Sequence, residues 1–459
     1  MIEAGLPAVA VGLVLFAAIV HHPLVGACVL LFAGPLIVGI ARGEVGGALR
    51  PNELLLGFVL AAVAVRAVLL MLGRRWRPAP FDAMDVALLA LVATGSVLPV
   101  LWRLARGLPL TPDDLLYSIV LVKYYAVFRL FRVAVTTEAA VAACLRAALL
   151  SSSLVAVIAL LETFRLFGVA GFLEAHYDTP FSGSEGLVAG RAVSTVASVF
   201  GLADLMIISM ILALSLRRVA VRGRGLLAGC AVLSMAGCVV TGTFSGYIGL
   251  AVALLAFGVF SRSLHRTVPV GAAMAAVAGA AFWPLLEQRL VGFSGPAGMP
   301  QSWMGRLANL QDHFLPQIMT GANWLLGVRP AARLAATERW RDWIYIESGY
   351  VWLLWIGGVP FLLTFLGFVA LALSRLGVVA RARADAVGAA ALTARCAVVL
   401  IAVLMLFDPH LTIRGGADIF FPLLALGLVP KAARSEARWE PPRAGVVLVP
   451  TPSGRPACS

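Results

Sequence analysis

Apolar runs approaching the roughly 20 residues that cross a bilayer core recur along the whole of this 459-residue chain. They fall near 6–20, 24–41, 54–72, 83–101, 115–131, 140–162, 193–216, 225–242, 245–260, 268–285, 346–372, 391–407 and 417–430. In hydrocarbon every backbone polar group needs a partner inside the protein, so each run predicts a helix. The thirteen segments predict 12 or 13 transmembrane helices, with the first pair either two spans, one hairpin or partly interfacial. Composition agrees: 61% of residues are hydrophobic and 13% charged, against about 25% charged in a soluble domain. The expected fold is an all-α membrane protein with no sizeable soluble domain.

The net charge of +13 raises the question of nucleic acid, but its distribution argues against it. Lys and Arg concentrate in short loops between spans, the pattern that encodes membrane orientation. With alternating helices, Arg74/Arg75/Arg77, Arg217/Arg218/Arg222/Arg224, Arg262/Arg266, Arg375/Arg381/Arg383/Arg395 and Lys431/Arg434/Arg438 share one side, predicted to be cytoplasmic. The first apolar run lacks the basic flank of a cleaved signal peptide and is expected to remain a span. Residues 1–435 form the predicted polytopic domain, and 436–459, rich in Pro and small residues, a disordered cytoplasmic tail. The six cysteines include no CxxC pair, and all but Cys458 lie in apolar segments, where they read as small hydrophobes.

Two long loops, 163–192 and 286–345, then lie outside. The second carries Arg289, Arg306, Arg329, Arg333, Arg339 and Arg341, against the usual charge bias, and so resembles an anion site. From Gly305 to Leu315 it reads as an amphipathic surface helix, with Leu307, Leu310 and Phe314 on one face and Arg306, Asn309 and His313 opposite. Guanidinium forks suit a diphosphate because they match phosphate oxygens in bidentate fashion. No P-loop, GxGxxG or metal-ligand spacing is present, so no metal or cofactor is called for. Glu347 stands in the predicted first turn of an apolar helix, sharing a face with Trp343 at i−4 and Tyr350 at i+3. An interfacial aromatic belt accounts for the rings; the acid instead suggests a base or a group orienting an acceptor. Lys123 lies within a span and is expected to face a polar cavity, while Arg129 and Arg132 are expected to snorkel to the interface. Arg191, Ser194, Thr195, Ser198 and Asp204 mark one outer helix mouth. The small-residue turn in VVTGTFSGYIGL and the segment FDPHLTIRGGAD, with Asp408, His410 and Arg414, gather on the same side.

In order and spacing these features resemble the superfamily of O-antigen ligases and O-antigen polymerases, over roughly residues 80 to 430. RAVSTVASVF is similar to the family's Arg-led middle helix, with Arg191 retained. TGTFSGY keeps Thr243 and Ser245 of its next turn and has Gly246 where an arginine is usual. Gly305-Arg306 matches the opening of the large loop, LLGVRP its Gly-rich turn, and IESGYVWLLWIGGVP its exit into a helix. The resemblance implies a GT-C-like glycosyltransferase in the bacterial cytoplasmic membrane, with its site facing the periplasm or exterior. It would move glycan from an undecaprenyl-diphosphate donor to an acceptor sugar hydroxyl, polymerising exopolysaccharide, capsule or O-antigen units without a metal. Arg191, Arg306 and Arg329 would hold the diphosphate, Glu347 or His313 would act as base, and Tyr350, Trp343, Arg414 and His410 would contact sugar. Lipid-linked oligosaccharide, membrane lipid and chain-length or export proteins are the partners implied. Glu347-Ser348 stands where lipopolysaccharide ligases carry histidine, which favours a polymerase. A ligase delivering finished glycan to lipid or protein, and a transporter or flippase of lipid-linked sugars, are the alternatives; no internal repeat of the kind many transporters show is visible.

Overall fold

The computed structural model describes residues 2–41, 49–74, 79–178, 190–283, 287, 301–336 and 342–430. Those up to Val429 form one compact unit. The expected tail at 436–459 lies outside the described residues, as do Arg75, Arg77, Arg289, Arg339, Arg341, Lys431, Arg434 and Arg438.

Each of the thirteen apolar segments falls on a helix. In chain order the helices are α1 (Ile2–His21), α2 (Pro23–Ile37), α3 (Pro51–Leu72), α4 (Ala83–Ala105), α5 (Pro112–Ala134), α6 (Glu138–Thr163) and the short α7 (Val169–His176). Then come α8 (Val199–Val219), α9 (Arg224–Val239), α10 (Phe244–Phe260), α11 (Leu264–Ala281), the outer α12 (Gln301–Asn309), α13 (Gly349–Ala382), α14 (Ala386–Leu404) and α15 (Gly416–Leu426). Among the described residues, α3, α4, α6, α8, α13 and α14 are long and apolar enough to cross a membrane; α1, α2, α9, α10 and α15 offer shorter apolar stretches. The chain is an all-α, multi-pass membrane protein. Its strands are confined to one antiparallel pair, β1 (Arg333–Ala335) with β2 (Trp343–Tyr345), among the described residues.

Helix starts reflect local chemistry. Asp82, Thr111, Thr137, Ser198, Thr243, Ser348 and Asp385 each turn a side-chain oxygen onto a backbone N–H of the first turn of α4, α5, α6, α8, α10, α13 and α14. Burial then orders the bundle: 83% of the apolar window of α8 is buried, against 17% for α3, so α8 is central and α3 peripheral. Around α8 pack α6, α9, α10, α14 and α15.

Two local expectations are corrected. The middle helix begins at Val199 rather than near 193, because a 3-10 turn at Ser194–Val196 precedes it and the Glu162 carboxylate caps that turn, accepting from Val193 N and Ser194 N. Arg129 and Arg132 pair with Asp85 and Asp82 at 3.0 Å each; Arg129 also reaches the Ala79 and Pro80 carbonyls before α4, and Arg132 is buried. Glu347, Trp343 and Tyr350 do not share a helix face. Trp343 lies on β2, under the Arg333 guanidinium at 3.9 Å; Ser348 is the cap, so Glu347 precedes α13 and Tyr350 falls inside it.

The outer segment is locked onto α13 at a kink. Gly358 has φ 63°, with Pro360 two residues on. Proline lacks an N–H and disrupts the preceding turn, and the Trp355 carbonyl is met by Val328 N at 2.6 Å. A Cβ at Gly358 would collide with the Leu325 backbone, so both the φ and the approach require glycine here. Arg333 grips Asp113 with two hydrogen bonds at 2.7 and 2.8 Å, and the Trp355 indole donates to the Ala331 carbonyl.

Candidate functional site

The first turns of α8 and α13, the end of α14 and the 405–415 connection to α15 meet at one end of the bundle. Gly349 N and Tyr350 N both donate to the Met405 carbonyl, binding the start of α13 to the end of α14. Gly201 lies so close to the Arg414 carbonyl that a Cβ there would overlap it, which seats the 405–415 segment on α8. Three stretches distant in sequence thus place carboxylates and cations side by side.

Arg306 is the hub. Its Nη1 donates to Asp408 Oδ2 at 2.9 Å and to the Phe407 carbonyl at 3.3 Å, while its Nε lies 3.3 Å from Glu347 Oε1. Its guanidinium also covers the Phe200 ring at 5.6 Å. Asn309, one turn on, donates to Glu347 Oε2 at 3.4 Å. Beneath them His410 Nδ1 donates to Asp204 Oδ2 at 2.7 Å, with both side chains buried. His410 Nε2 and Asp204 Oδ1 are buried without a hydrogen-bonding partner among the described residues. His410 N also donates to the Asp408 carbonyl, so the two charged pairs share one tight turn.

Burial raises the Asp408 carboxyl above the usual range, and Arg306 only partly opposes this. For His410, burial disfavours the charged ring, but the adjacent Asp204 carboxylate outweighs it and its pKa is raised. Arg414 is lowered, first by burial and then by Arg50, and its Nη1 is buried with no described partner.

The face of the outer helix differs from the sequence expectation. Arg306, Asn309 and His313 are half-buried, Phe314 is fully buried, and Leu307 is 51% exposed. The polar row turns inward because Arg306 and Asn309 find carboxylates there, and a π-turn at Leu310–Phe314 rotates the chain beyond it.

Of the candidate residues, Arg306, Glu347 and His410 come together. Arg191 lies at the same end, donating to the Gly242 carbonyl at 3.4 Å, with its Nε buried and unpartnered among the described residues. Arg414 sits on the same 405–415 segment. Arg329 is instead occupied: it grips Asp114 through Nε at 3.0 Å and Nη2 at 3.2 Å, and also bonds Thr111. No described contact joins the His313 imidazole to the cluster; only its carbonyl is engaged, by Gln317. Tyr350 donates to the Ala402 carbonyl. Lys123 reaches Asp418 at 3.9 Å and lies over its neighbour Tyr124. Phe200 and Asp114 escaped sequence reasoning. Asp204 carried a usable signal, since the one acid in a helix long and apolar enough to span a membrane calls for a partner.

No protein-family model matches this chain, and no curated protein matches it. Chemically, the site offers a guanidinium shared between two carboxylates, a buried His–Asp pair, and further cations with unmet donors at the same end of the bundle.

Proposed function

We propose that this protein polymerises lipid-linked repeat units of a surface polysaccharide, as a metal-independent glycosyltransferase of the bacterial cytoplasmic membrane with its site on the outer face. The single observation that carries the reading is Arg306 held between Glu347 and Asp408. A lipid diphosphate arriving at this end of the bundle competes for the Arg306 guanidinium, joined by the unmet donors of Arg191 and Arg414. Diphosphate oxygens on Arg306 release Glu347. The freed carboxylate takes the proton of an acceptor hydroxyl as its oxygen bonds to the anomeric carbon. The bond from that carbon to the diphosphate breaks, and undecaprenyl diphosphate leaves with its charge stabilised by guanidinium donors. Asn309 holds Glu347 in line, and Arg329, tied to Asp114, fixes the loop rather than the phosphate.

Arg306→Ala and Glu347→Ala, introduced singly into cells that depend on this gene for polymer, test the proposal on a chain-length gel. Single repeat units on the lipid carrier are the expected product at normal protein levels. Normal long chains from both variants would sink it. Long chains that stay on the carrier and never reach their final acceptor would indicate a ligase instead.

A further inference from the structure

At the other end of the bundle, the chain from Asp204 to Glu287 contains no acidic residue between those two, yet carries Arg217, Arg218, Arg222, Arg224, Arg262 and Arg266. Four of these, Arg217, Arg218, Arg224 and Arg266, line a single cavity of about 450 Å³ between α8, α9, α10 and α11. Arg224 caps the end of α8 through the Ala220 carbonyl, and among the described residues none of the four has a carboxylate partner. Arg129, Arg132, Arg306, Arg329, Arg333 and Arg383, by contrast, each hold a carboxylate. All four are solvent-exposed at the mouth of this space. Here they ring a space whose walls are Leu214, Leu254, Phe257 and Val270. That wall is apolar and the rim is cationic.

We propose that this cavity binds one anionic phospholipid, its phosphodiester on the arginine rim and the upper part of its acyl chains along the apolar wall. Basic pockets between membrane helices select such headgroups because the guanidinium forks match phosphate oxygens and the chains remain in hydrocarbon. Ser263 and Thr267, which also line the cavity, add hydroxyl donors for the remaining oxygens. The inference needs only the membrane fold and is independent of the reaction at the opposite end. That end lies about 30 Å away along α8, at 1.5 Å per residue.

Native mass spectrometry of the purified full chain, with phosphatidylglycerol or phosphatidylcholine of identical acyl chains, tests it. One phosphatidylglycerol should be retained at least about tenfold more tightly than phosphatidylcholine. Each arginine near such a headgroup contributes about fivefold in affinity, so Arg217→Gln with Arg266→Gln should lower it by about 25-fold. The charge-matched control Arg146→Gln with Arg375→Gln, neither of which lines the cavity, should leave it unchanged. If the double variant fails to fold, Arg217→Gln and Arg266→Gln singly should each show the fivefold loss. Equal retention of both lipids, equal loss in the control pair, or displacement of the lipid by millimolar inorganic phosphate would overturn the proposal.

Discussion

Glu347 owes its place to residues far away in sequence: Arg306 and Asn309 hold its two oxygens, and Ser348 rather than Glu347 caps the helix. Glu347→Gln keeps the shape and removes the charge, so polymer synthesis should fall by at least about a hundredfold, the lower range for a positioned general base, with the folded protein intact. Synthesis within a few-fold of wild type would remove Glu347 from the chemistry. His410 makes a separate prediction. Burial disfavours its charged form but Asp204 more than compensates, so its folded pKa stands above its unfolded value. Its stabilisation is therefore complete below about pH 6.5, the ordinary histidine value, and is lost as pH rises through the higher folded value. The raised Asp408 carboxyl acts in the same direction at lower pH. Thermal melting of wild type and His410→Gln should accordingly differ more at pH 6 than at pH 9; a gap that widens with pH would contradict the assignment. His410→Leu, which strands Asp204, should cost about 3–5 kcal/mol.

Among the elements, the outer segment tests how the site is held. Gly358→Ala forces a side chain into a left-handed position against the Leu325 backbone, and should cost about 1–3 kcal/mol. Arg329→Gln leaves the buried Asp114 with Arg103 as its one remaining cation, beside its hydrogen bonds from Thr111 and Ala331 N, and should cost about 3 kcal/mol. In both variants limited proteolysis should cut 301–345 faster than in wild type; unchanged cleavage would show that the segment is held elsewhere. The helices themselves were legible in sequence, because apolar length and Ser, Thr or Asp caps are local properties. The pairings were not. Arg329 and Arg306 look alike in sequence, yet one meets Asp114, 215 residues away, and the other Asp408, 102 away. Periodicity likewise placed Trp343 and Glu347 on one helix face, since nothing local announces that β1 will draw Trp343 into a strand. The gathering of Arg306, Glu347 and His410 was visible only as a shared side, and the His410–Asp204 contact not at all.

For the whole molecule, the bundle has two chemically distinct ends. One carries the Arg306 cluster; the other carries the arginine-lined cavity and the turns at Arg262 and Arg383. The proposed function, with the positive-inside rule, requires the second end to face the cytoplasm. Cysteine labelling with a membrane-impermeant maleimide reads this directly: Asp312→Cys should react in intact cells and Val221→Cys only after permeabilisation, both positions being exposed. The reverse pattern would place the Arg306 cluster on the wrong side for the proposed chemistry. The most direct test of that chemistry is turnover by the purified protein in lipid nanodiscs, given lipid-linked oligosaccharide alone. A ladder of lengthened lipid-linked chains with release of undecaprenyl diphosphate, lost in Glu347→Gln, is the predicted result. Unchanged substrate with the folded wild-type protein, or an equal ladder from the variant, would contradict it.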